Sequence, residues 1–105
     1  VTDWRYYDAI YTERFMLTPK ENELGYKNAS CMTYIANRHS PLLIMSGTAD
    51  DNVHMANTLQ YVAEMQSQGT WCDLLLFPNK NHSINGCNAR SLVYARMMDF
   101  FRKNL

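Results

Sequence analysis

Apolar and polar positions along this chain change their rhythm at Pro41. Beyond it, Leu42-Leu43-Ile44-Met45 is a short continuous apolar run ahead of Gly47, the pattern of a strand buried on both faces. From about Asn52 to Gln68, apolar residues recur at Val53, Ala56, Leu59, Val62, Ala63 and Met65, which predicts a helix with one polar face. Gly69 supplies its stop. Trp71 to Phe77 reads as a second strand, closed by Pro78. A polar loop over Asn79 to Asn88 carries the turn signal Asn85-Gly86. Ala89, Leu92, Val93, Met97, Phe100 and Phe101 then mark a final amphipathic helix to about Lys103, with Arg102 and Lys103 complementing its dipole.

Two strands joined through a helix are expected to run parallel, with a right-handed crossover. Two parallel strands are too few to stand alone, so the sheet is expected to continue in residues outside the chain or in a partner. The expected class is α/β. Residues 1–40 have a different character: five of the seven tyrosines and one of the two tryptophans fall between Trp4 and Tyr34. No internal repeat or low-complexity segment interrupts either part.

Composition narrows the function classes. A hydrophobic content of 47% provides for a core and argues against disorder. Ten basic and ten acidic side chains cancel, which leaves no electrostatic case for nucleic acid or an anionic membrane. Nothing approaches the roughly 18 consecutive apolar residues of a membrane span. Cys31, Cys72 and Cys87 are odd in number and widely spaced, and are expected to be ordinary buried or half-buried thiols.

The candidate chemistry lies just past the two strands. Gly47-Thr48-Ala49-Asp50-Asp51-Asn52-Val53-His54 follows the first and Asn81-His82 the second. In a parallel sheet, catalytic groups gather at that edge. An acid followed by a histidine is the order of the last two members of a Ser…Asp…His triad. The acid fixes the histidine tautomer and stabilises the imidazolium. No Gly-x-Ser-x-Gly occurs in the 105 residues, so the chain reads as the tail of a hydrolase. The plainer alternatives are that Asp50, Asp51 or Asn52 caps the following helix and that His82 is a solvated loop histidine. Trp4, Tyr7 and Tyr11 share one face if their segment is helical, either as the wall of a small apolar slot or as packing beneath a loop. His54, Cys87 and His82 match no metal-ligand spacing, and neither a metal nor an organic cofactor is expected.

Three blocks of sequence carry a resemblance: Trp4 through Met16, Gly47 through His54, and Asn81-His82 with the helix behind it. Together they resemble the C-terminal end of the catalytic domain in the dipeptidyl peptidase IV branch of the prolyl oligopeptidase family. The resemblance implies the end of an α/β-hydrolase fold, with 1–40 as an aromatic pocket segment and 41–105 carrying the acid and histidine. Asp50 and His82 then match the triad acid and base. Trp4, Tyr7 and Tyr11 match the aromatic lining, and Val1 and Val53 the aliphatic lining, of the pocket for a penultimate proline or alanine. Asn52 matches the amide that holds the carbonyl of the substrate's first residue.

The implied partners are a peptide substrate, the remainder of the catalytic domain, a propeller domain and a second copy in a homodimer. The family favours an extracytoplasmic location. Alternatives are a tripeptidyl or acylaminoacyl peptidase of the same family, or a non-catalytic association module. Ser83 departs from the glycine often found beside the histidine. The chain alone, without a nucleophile, is expected to be inactive.

Overall fold

A computed structural model describes all of residues 1–105. The aromatic segment is not one helix. It breaks into a 3-10 turn at Trp4–Tyr6, α1 at Ala9–Met16, α2 at Glu23–Ala29 and a second 3-10 stretch at Cys31–Asn37. The breaks are local chemistry: Asp3, Asp8, Asn22 and Ser30 each accept a backbone N–H ahead of them and restart the helix. Tyr7 falls between elements with extended backbone. Trp4, Tyr7 and Tyr11 therefore do not share a helix face, contrary to the simplest reading of their spacing.

Beyond Pro41 the expected unit appears: β1 at Leu43–Gly47, α3 at Ala56–Ser67, β2 at Asp73–Phe77 and α4 at Ala89–Asn104. The strands pair in parallel from Leu43 opposite Asp73 to Gly47 opposite Phe77. Helix α3 packs on the Cys31–Asn37 stretch and α4 on β1. Gly69 ends α3 at φ 76°, a left-handed position that glycine occupies without a Cβ penalty. Helix α3 begins about a turn later than its periodicity suggests. The reason is that Asp50 Oδ1 accepts from Asn52 and Val53 N–H at 2.9 Å each, closing a turn that diverts the chain.

Two expectations are corrected. The strands are not buried on both faces: β1 is half-buried up to Gly47, and Asp73 and Leu74 of β2 are exposed. Cys31 and Cys87 are exposed, and only Cys72 is half-buried. Both follow from how thin the core is. Ten of 105 residues are buried, and the apolar ones are Tyr26, Ile35, Met65, Phe77 and Ala89. The radius of gyration is 15.3 Å, against about 13 Å for a compact domain of this length. Ile10, Phe15, Leu24 and Trp71 are among the large apolar side chains left open to solvent. Within the chain α4 packs on β1, and the sheet is left half-covered where parallel sheets are normally covered on both faces.

Candidate active site

Parallel pairing brings the C-terminal ends of β1 and β2 side by side, and the loops that follow are stitched together there. Thr48 N–H donates to the Phe77 carbonyl at 3.1 Å and Ala49 N–H to the Lys80 carbonyl at 3.0 Å. In return, Asn79 N–H donates to Thr48 Oγ1 at 2.8 Å. Gly47 makes this crossing possible. The carbonyls of Lys80 and Asn81 lie against its Cα, in space any side chain would fill.

That crossing delivers His82 to Asp50. Nδ1 of His82 lies 2.8 Å from Asp50 Oδ2. The other carboxylate oxygen is held by the Asn52 and Val53 amides, so Asp50 closes its own loop and engages the histidine with different atoms. The acid is nearly buried, with 8% of its side chain exposed, whereas the imidazole is 55% exposed. Burial pulls the Asp50 pKa up, but the hydrogen bonds from His82, Val53 and Asn52, with the field of His82, together hold it below the ordinary aspartate value. A carboxylate at Nδ1 selects the tautomer whose Nε2 is free to accept a proton. Ser83 is exposed and donates its N–H to Asn81 Oδ1 at 3.1 Å, and the Asp50–His82 contact forms with it in place.

The aromatic residues form a ladder although no single helix carries them. Trp4 and Tyr7 meet edge to face with centroids 5.6 Å apart, Tyr7 and Tyr11 repeat that geometry at 5.6 Å, and Phe15 extends it 5.4 Å beyond Tyr11. Phe15 is not among the pocket residues the resemblance implies, although it stands four residues from Tyr11. The Arg14 guanidinium lies over Phe15 at 4.9 Å. Tyr7 ties the ladder to the acid loop through its hydroxyl, which donates to Asn52 Oδ1 at 3.1 Å.

Val1 and Val53 join Asp50 and His82 around one cleft of about 390 Å³, with Ile44 and Ile84 in its wall. Trp4 and Tyr11 line a separate hollow of about 250 Å³ with Thr12, Phe15 and Met16. The structure thus brings Val1, Val53, Asp50 and His82 to one cleft and Tyr7 to Asn52, but does not join Trp4 and Tyr11 to that cleft. His54 and Cys87 take part in no cluster of three metal-binding side chains.

Asn57 went unnoticed in the sequence. It is 2% exposed, and its side chain bonds to Thr2, Asp3, Tyr6 and His54. The available signal was an asparagine on the apolar stripe of α3, four residues after Val53 and four before Tyr61.

The sequence profile of the prolyl oligopeptidase family matches residues 1–105, and the chain belongs to that family of peptidases. Among its relatives, a probable dipeptidyl-aminopeptidase B of Paracoccidioides brasiliensis is 48% identical over 103 residues, covering 95% of this chain and 11% of that protein. The Porphyromonas gingivalis dipeptidyl peptidase 4 structure superposes over the whole chain with a TM-score of 0.95 and 46% identity, covering 15% of that chain. A putative dipeptidyl aminopeptidase IV from Bacteroides ovatus does so at 0.93 and 30% identity, again over 15% of its own length. The chain therefore spans about a tenth of the length of the curated relatives it matches. The α/β class expected from the sequence stands on both the parallel strand–helix–strand unit and these superpositions.

Proposed function

We propose that this chain is the C-terminal portion of the catalytic domain of a serine dipeptidyl peptidase that releases Xaa-Pro or Xaa-Ala from peptide N-termini. The observation that carries the reading is the 2.8 Å contact between Asp50 and His82 at the ends of adjacent parallel strands. Residues 1–40 supply the pocket wall and 41–105 the acid and base. The nucleophile is a serine outside the 105 residues.

In the reaction, His82 Nε2 takes the proton from that serine as its oxygen attacks the scissile carbonyl. Asp50 holds the ring in the reactive tautomer and stabilises the imidazolium. His82 then returns the proton to the leaving amine, and a water repeats the sequence to free the dipeptide. Val1, Trp4, Tyr7, Tyr11 and Val53 enclose the penultimate side chain. Asn52 Nδ2 donates to the carbonyl of the first residue, since its Oδ1 is engaged by Tyr7. No metal or organic cofactor enters the scheme.

The half-covered sheet supports one further partner, the rest of the catalytic domain that extends it; the reading adds a propeller domain that completes the chamber and a second copy that docks on the catalytic domain. Phe101 and Met98 of α4 are exposed and available to that dimer contact.

The test is product analysis of a Gly-Pro-initiated peptide digested by the full-length enzyme. Dipeptide release supports the proposal. Release of a tripeptide or an acylated amino acid would instead select one of the other activities of the family, and no cleavage at all would leave the association module.

A further inference from the structure

We infer that Asn57 is a positioning residue that sets the width of the substrate pocket, an inference that rests on the dipeptidyl peptidase reading above. The two walls of that pocket are far apart in sequence. In that reading one is carried by Val1, Trp4 and Tyr7, the other by Asn52 and Val53 in the acid loop. Asn57 is the side chain that bonds to both. Its Oδ1 accepts from Thr2 N–H at 3.0 Å and Asp3 N–H at 3.2 Å. Its Nδ2 donates to the Tyr6 carbonyl at 3.0 Å and the His54 carbonyl at 3.2 Å. Its backbone carbonyl accepts from Thr2 Oγ1 at 2.6 Å.

These bonds bracket Trp4, with partners at residues 2 and 3 on one side and residue 6 on the other. The His54 carbonyl, two residues past Asn52, fixes the opposite wall. The connections span 51 to 55 residues of sequence except for the local one to His54. At 2% exposure, the amide has no water to replace a lost partner. Every bond it makes is therefore kept or left unsatisfied. Only one further polar contact joins the walls directly, the Tyr7–Asn52 bond, and both of its partners are pocket residues themselves.

A wall free to shift by a fraction of an ångström still admits a small side chain but grips a rigid ring less well. Asn57 therefore acts on selectivity for proline over alanine, through KM more than through kcat. It lines the cleft that holds Asp50 and His82 but hydrogen-bonds to neither, so the pH dependence of kcat is unaffected by its loss.

The experiment compares kcat/KM for Gly-Pro and Gly-Ala p-nitroanilides in the full-length enzyme and its Asn57→Ala variant. The expected result is a tenfold fall in the Pro-to-Ala ratio, carried by KM, with the pH profile of kcat unchanged. Thr2→Val, which removes the Oγ1 donor to the Asn57 carbonyl and Oδ1 and leaves the backbone N–H bonds from Thr2 and Asp3, is the second arm and is expected to lower the ratio about threefold. Should Asn57→Ala fail to fold, the Thr2→Val ratio decides. A ratio unchanged in the folded variants, or an equal loss on both substrates, overturns the inference while leaving the dipeptidyl peptidase reading intact. A wild-type enzyme that cleaves neither substrate overturns that reading itself.

Discussion

The Tyr7 hydroxyl donates to Asn52 Oδ1 at 3.1 Å, joining the aromatic ladder to the acid loop across 45 residues of sequence. The bond does more than link two segments. With Oδ1 engaged, the amide of Asn52 is left with its Nδ2 as a donor, the group that the proposed function assigns to a substrate carbonyl. An exposed hydrogen bond of this kind contributes about 1 kcal/mol. Tyr7→Phe is accordingly expected to lower kcat/KM on Gly-Pro-p-nitroanilide about fivefold, mainly through KM. Steady-state kinetics on the full-length enzyme checks this, and a loss confined to kcat would contradict it.

As the acid of the proposed triad, Asp50 is expected to have a larger effect. Asp50→Asn keeps the shape and both loop N–H contacts possible, but it removes the charge that stabilises the imidazolium and favours the wrong tautomer. The expected loss is roughly 10⁴-fold in kcat with KM little changed. Active-site titration with a fluorophosphonate separates this from unfolding, because a correctly folded variant still presents its serine, though it reacts slowly.

Gly47 tests whether loop crossing positions the base. A methyl at this position occupies the space of the Lys80 and Asn81 carbonyls, so Gly47→Ala must push the His82 loop outward. A displacement on the ångström scale costs about 100-fold in rate when it misaligns a catalytic group. The variant is expected to lose that much in kcat while the far-ultraviolet circular dichroism stays that of wild type. Wild-type kcat in Gly47→Ala would show that the loop has another way to reach Asp50.

The depressed pKa of Asp50 also makes a claim about stability. A carboxyl that is more acidic in the folded state contributes its stabilisation fully above the unfolded value of about 3.9, and loses it as pH falls through the lower folded value. The urea midpoint of the wild-type enzyme should therefore exceed that of Asp50→Asn near neutral pH, and the gap should close below about pH 4. A gap that widens with acid would mean that burial, and not hydrogen bonding, dominates this carboxyl.

Much of this was legible in the sequence, for reasons that differ by element. Leu42 to Met45 and Trp71 to Phe77 announced strands because a continuous apolar run between Pro and Gly has few other uses, and the helix between them fixed their parallel sense. Asp50 and His82 were legible because parallel strands put their ends together. The plainer reading, that Asp50, Asp51 or Asn52 caps the following helix, is corrected: Asp50 Oδ1 closes a turn at 50–53, and α3 starts at Ala56 with no side-chain cap. The break at Tyr7 was not legible, because spacing of three and four ignores the Asp3 and Asp8 caps that restart the chain. Asn57 was missed because its value lies in partners some fifty residues away, which no local pattern encodes.

The most direct test of the central claim is complementation. This chain, refolded with the upstream remainder of its parent, is assayed on Gly-Pro-p-nitroanilide beside each piece alone. Activity in the mixture only, abolished by His82→Ala in this chain, is the predicted result. Turnover by the chain alone, turnover in the mixture that survives His82→Ala, or an assembled mixture with no activity would contradict the claim that these 105 residues supply the acid and base of the triad.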